Sequence, residues 1–316
     1  MERPSLSSAQ DQNADAEQFE AHLRSDPEPT SISQVGERTH LQKELCLLTD
    51  NSKLRRLLQV LQAKHDHVGL RRLQELRHHS VCHTWLWHLD FSEGTVLSDT
   101  DFTTAVRHRL GAAFTAEPAS CRVCGKLMTK TAAHCLCCAI AESTAGHYTV
   151  VRALVDGLRV ADSAVVTEVR GLVEGSSARP ADVYTSAALP GRDAALDVTI
   201  ASQDAAGAGD DCCATAFRGK LRKYAKLLIP MAKDGVGFRP MVWSAEGRSH
   251  PVVGRVLALA AELATRKHQD ACAKIFMQRW RREIAVAIQK RIARMIKACL
   301  PAPSRRGRQL LWGRNA

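Results

Sequence analysis

The chain has 316 residues, 45% of them hydrophobic and 24% charged, with a net charge of +11 at neutral pH. That length holds one or two domains with a core of ordinary size. No apolar run approaches the ~18 residues of a membrane span, and the first ten residues, MERPSLSSAQ, lack the apolar core of a signal peptide. Eleven cysteines without such a signal point to thiols or metal ligands rather than disulfides, in a nuclear or cytosolic rather than a secreted protein.

Residues 1–40 are rich in Ser, Asp, Glu, Gln and Pro, carry eight acidic and three basic residues, and are expected to be disordered. A helical segment is expected over 41–115. There Leu45, Leu48, Leu54, Leu57, Leu58, Val60 and Leu61, then Leu70, Leu73 and Leu76, recur at helical spacing with a break near 65–69. Trp85, Trp87 and Phe91 read as packing residues. Asp99 or Thr100 is expected to cap a further helix through Phe102, Val106 and Leu110, which Gly111 ends.

Residues 116–147 read as a zinc knuckle. Cys121 and Cys124 stand two residues apart, a spacing that lets both thiolates face one ion, with Gly125 relaxing the turn. His134 and Cys138 complete a tetrahedral set, although Cys135 and Cys137 compete for the fourth position and His147 is in reserve. Zinc suits these sulfur and nitrogen donors, and a site with no position left for water is structural.

The core is expected over 148–268. Val150, Val151, Leu154, Val155 and Leu158 mark a helix over 147–160, and AVVTEVRGLV (164–173) reads as a strand carrying Glu168. Two short runs, 182–184 and 196–200, each begin at or near an aspartate and flank a turn with Pro190 and Gly191. They read as adjacent strands that deliver Asp182 and Asp197 to the same end of a sheet. Such a pair suits magnesium, although an aspartate at a strand end is also a common turn residue. A helix over 212–229 puts Lys220 and Tyr224 on one face. A strand at 238–244 and a helix over 250–266 follow.

Residues 269–316 are expected to form a basic amphipathic helix, about 271–300, with a flexible basic end. Phe276, Trp280, Ile284, Ile288, Ile292 and Ile296 make its apolar face, and Arg279, Arg282, Lys290, Arg294 and Lys297 the other. From 266 onward 14 Lys or Arg face only Asp270 and Glu283. That excess favours nucleic acid over a membrane as the partner.

The succession of a helix ending RLG, a Cys-x2-Cys…His…Cys knuckle, a helix, a Glu strand, RPADV, LDV and a Lys-x3-Tyr helix resembles a known arrangement. It is similar, over about 68–301, to the C-terminal region of site-specific non-long-terminal-repeat retrotransposon polyproteins and their stand-alone protist relatives. There a zinc knuckle precedes a restriction-like endonuclease of the PD-(D/E)xK class. The resemblance implies an α/β fold, a small mixed sheet flanked by helices, and magnesium-dependent hydrolysis of DNA, favoured over RNA. Asp182 and Asp197 would hold the magnesium, and Glu168 would add or orient a ligand. Thr199 stands where the commonest form of this nuclease has its lysine, so the lysine falls on Lys220, with Tyr224 one turn on. The alternative is an inactive nucleic-acid-binding remnant or domesticated module.

Overall fold

The computed structural model describes residues 41–86, 96–138, 140–269 and 272–301, so the expectations for 1–40, the basic end, Trp87 and Phe91 lie outside the described residues. The chain forms two compact units, Met1–Asp66 and His67–Ala316. The helix α1 (Leu41–Ala63) belongs to the first.

In the second unit the chain runs through α2 (His67–Arg77), α3 (Asp99–Arg109), β1 (Ala119–Ser120), β2 (Leu127–Met128), α4 (Cys135–Cys138) and α5 (Ile140–Ala161). It continues through β3 (Val166–Val169), β4 (Ala181–Thr185), β5 (Asp193–Ala201), α6 (Cys212–Lys223), α7 (Ala225–Lys233), β6 (Val236–Ser244), α8 (Pro251–Lys267) and α9 (Ala273–Cys299). Local chemistry sets the helix starts. The Ser98 side chain, rather than Asp99 or Thr100, caps α3 by accepting the Asp101 N–H. Asp211 does the same for α6 through Ala214 N. The expected helix over 212–229 is two helices, because Tyr224 leaves helical geometry at φ −101°, ψ 10° and serves as the boundary of both.

The expected mixed α/β architecture with a small mixed sheet flanked by helices is what the second unit forms. Its sheet has the order β3-β4-β5-β6. Pairing is antiparallel except between β5 and β6, whose connection through α6 and α7 is the long crossover that parallel strands require. Side chains alternate across β5. Leu196 and Val198 join the core made with α5, α8 and α9, while Ala195 packs on the other face with Tyr224, Met231 and Phe238.

The C-terminal helix α9 spans the expected residues, with Trp280, Ile284, Ile288, Ile292 and Ile296 buried and Arg279, Arg294 and Lys297 exposed. From Ile284 to Ile296 the burial goes further than one apolar face and takes in most of the circumference, where α9 packs on α5, as helices at the centre of a core do. Two glycines of α5 make the approach possible. A Cβ on Gly157 would meet the Trp280 ring at 2.9 Å, and one on Gly146 would meet Arg291 Cγ at 2.4 Å. They are eleven residues apart, about three helical turns, and so share one face.

Buried ion pairs, invisible in the sequence pattern, fasten the turn after β6. Arg248 donates to both Glu75 oxygens at 2.7 Å and to Asp211 at 2.8 Å. Glu246 faces His108 at 3.0 Å and accepts from Gln203. No helix among the described residues is long and apolar enough to cross a membrane.

Candidate metal centre and acidic cleft

The hairpin of β1 and β2 turns tightly at Gly125, whose φ of 73° suits glycine. The turn places Cys121 and Cys124 beside the start of α4. The donor atoms of Cys121, Cys124, His134 and Cys138 all lie within 4.8 Å of one another, a cluster that could hold a metal ion such as zinc. The Cys121 and Cys138 sulfurs stand 3.6 Å apart. Two thiolates bound to one tetrahedral zinc would stand roughly 3.8 Å apart, so the donor set fits that ion.

Burial opposes the Cys121 thiolate, yet the N–H groups of Cys124 and Val123 outweigh it and hold the thiol near 6, suited to a ligand. The competing cysteines are elsewhere. Cys135 is wholly buried against Met128 sulfur at 3.5 Å, and burial pushes its thiol up to about 11. Cys137 is exposed and outside the cluster, and His147 lines the cleft beside Asp182 instead.

That cleft has a volume of about 620 Å³ and carries both signs of charge: Glu168, Asp182 and Asp197 line it with Arg179, Lys220, Lys223 and Arg291, together with His147, Thr199 and Tyr224. Strand register assembles its acids. The antiparallel pairing that sets Val183 opposite Leu196 and Tyr184 opposite Ala195 brings Asp182 opposite Asp197 one step further. The register of β3 on β4 likewise sets Glu168 opposite Asp182, in a row across three strands. Glu168 leaves the row because its backbone is left-handed, φ 56°, and its carboxylate pairs with Arg179 at 3.0 Å.

Each aspartate is held by defined donors. Asp182 Oδ2 accepts the Val198 N–H at 2.6 Å, and Oδ1 lies 3.4 Å from His147 Nε2. Asp197, only 3% exposed, has Lys220 Nζ 2.7 Å from Oδ2 and the Tyr224 hydroxyl donating to Oδ1 at 3.3 Å. The shared face expected of Lys220 and Tyr224 therefore converges on one carboxylate from α6 and its boundary. Burial raises the Asp197 pKa and Asp182 adds to the effect, while Lys220 draws it back.

The cations expected on α9 are placed less uniformly. Arg279 pairs with Glu283 at 2.8 Å and Lys297 with Asp101 at 2.6 Å. Arg282 and Lys290 are half-buried, whereas Arg294 is exposed. His147, which its position offers as a reserve ligand of the knuckle, lines the cleft instead, as do Arg179, Lys223 and Arg291, to which the sequence pattern assigns no site role.

No known protein family matches the chain, and no curated protein matches it in sequence. Fold and centre together define a mixed α/β protein with a four-stranded sheet and a Cys3His cluster able to take a metal ion such as zinc.

Proposed function

We propose that the chain is a magnesium-dependent DNA endonuclease of the restriction-like class, with the Cys3His cluster as a structural zinc knuckle. The observation that carries this reading is Lys220: from a helix, it sets its ammonium 2.7 Å from Asp197 in the cleft that Asp182 also lines. A lysine beside paired carboxylates in an open cleft suits phosphodiester hydrolysis, in which negative charge grows on the phosphate.

Asp182 and Asp197 would hold magnesium, which when bound polarises the phosphoryl oxygen and activates a water. The Val198 N–H and the Tyr224 hydroxyl orient the two carboxylates. Lys220 meets the charge developing on the phosphate. His147, beside Asp182 and partly exposed, is positioned to relay a proton to solvent. Glu168, turned toward Arg179, acts on the edge of the site rather than as a ligand.

The knuckle contributes rigidity. The Arg122 N–H donates to Cys299 O at 2.9 Å, tying the hairpin to the end of α9. Arg279, Arg282, Lys290, Arg294 and Lys297 would add salt-dependent contacts to DNA phosphates.

Nicking of supercoiled plasmid tests the reading. The protein should nick in magnesium, stop when the metal is chelated, and lose the activity in Asp197→Asn. A protein that shifts the plasmid on a gel but leaves it intact in magnesium is a binding module, and the nuclease reading is lost.

A further inference from the structure

Arg291 lies on the most deeply buried stretch of α9, between half-buried Lys290 and buried Ile292, and is 5% exposed. Its side chain crosses α5 at Gly146, where a Cβ would come within 2.4 Å of its Cγ and 2.9 Å of its Cβ. Only a glycine leaves that passage open. Beyond it Arg291 lines the same cleft as Asp182, Asp197 and Lys220.

There its hydrogen-bonding capacity is mostly unused. Nη2 donates to Ser143 Oγ at 3.3 Å, while Nε and Nη1 are buried without a partner. Among the described residues no carboxylate pairs with it. A buried guanidinium is costly unless an anion or a full set of acceptors meets it. The cost registers in its acidity: burial lowers the pKa to about 10, opposed by the nearby Cys137 thiol. Thr199 lines the cleft too, and its hydroxyl is likewise buried without a partner.

We infer that Arg291 is the anion-binding residue of this cleft, its free guanidinium edge receiving the non-bridging oxygens of a phosphate group, with the Thr199 hydroxyl as a second donor. That the phosphate belongs to a DNA strand rests on the proposed nuclease activity; the anion site itself rests on Arg291 alone. The guanidinium offers two parallel N–H groups to a phosphate, which a lysine in the same place cannot. The phosphate completes the charge balance that the protein leaves open.

The test compares the parent with Arg291→Met and Arg291→Lys in thermal unfolding and in plasmid nicking. Inorganic phosphate, set against chloride at equal ionic strength, should raise the Tm of the parent, leave Arg291→Met unmoved, and give Arg291→Lys a smaller shift. In phosphate-free buffer Arg291→Met should be at least as stable as the parent, because it removes an uncompensated buried charge. Nicking should fall by about 100-fold in Arg291→Met. If phosphate stabilises the parent and both variants equally, or none of them, the inference is overturned. Equal nicking by parent and Arg291→Met overturns the assignment of that phosphate to the DNA strand while leaving the nuclease reading intact. A parent that never nicks but shows the Arg291-dependent phosphate shift sinks the nuclease reading and supports the anion site.

Discussion

In the cysteine–histidine cluster all four donors turn toward one another, whereas in the cleft the two aspartates are braced by the protein and face an open space of about 620 Å³. The cluster sits on a two-strand hairpin and a one-turn helix, elements too small to hold shape by packing alone. The cleft sits on the central strands of a sheet buried by helices on both faces. The contrast separates two uses of metal-binding side chains. A closed set with no free position holds a fold together, and an open one on a rigid scaffold leaves room for substrate.

Substitutions should keep the two regions apart. Replacing Asp182 with Asn should lower plasmid nicking by about 1000-fold, of the order seen when a charge-stabilising group is removed, with zinc content unchanged. Lys220→Met should cost about 100-fold by the same assay. Cys121→Ser should bring bound zinc close to zero and lower stability by a few kcal/mol, measured by metal analysis and thermal unfolding. Retention of zinc would show that the cluster is not its ligand set. Ser98→Ala should cost only about 1 kcal/mol in denaturant unfolding and leave nicking and zinc content untouched.

Asp197 adds a dependence on pH whose sign can be worked out. Its folded pKa lies above the ordinary 3.8, so the native state binds this proton more tightly than the unfolded chain does. Stability from that proton is complete below 3.8 and is lost as the pH rises through the raised value. Metal-free Asp197→Asn should therefore be more stable than the parent at neutral pH, with the advantage disappearing in acid. An advantage that persists unchanged in acid would mean that the burial of Asp197 is not what shifts it.

Much of this was legible in the sequence, and the exceptions are instructive. The short β-branched runs around Asp182 and Asp197, split by a turn with Pro190 and Gly191, mark their strands, because such residues favour a sheet and such turns join its strands. The four-residue spacing of Lys220 and Tyr224 gave their common target, even though the helix breaks at Tyr224, where no glycine or proline announces the boundary. Left-handed geometry at Glu168 has no sequence signature at all, so its departure from the acidic row was hidden. Arg291 was hidden for another reason. Basic residues on a helix are ordinarily solvated, and its burial follows from the notch at Gly146, 145 positions earlier in the chain. Contacts of that separation belong to packing and cannot be read from local pattern.

The most direct test of the central claim is the initial rate of supercoiled-plasmid nicking as magnesium is titrated, for the parent beside Asp182→Asn. The account predicts a rate that rises with magnesium and saturates in the parent and stays near background in the variant. Equal rates in the two proteins, or nicking indifferent to magnesium, would contradict it.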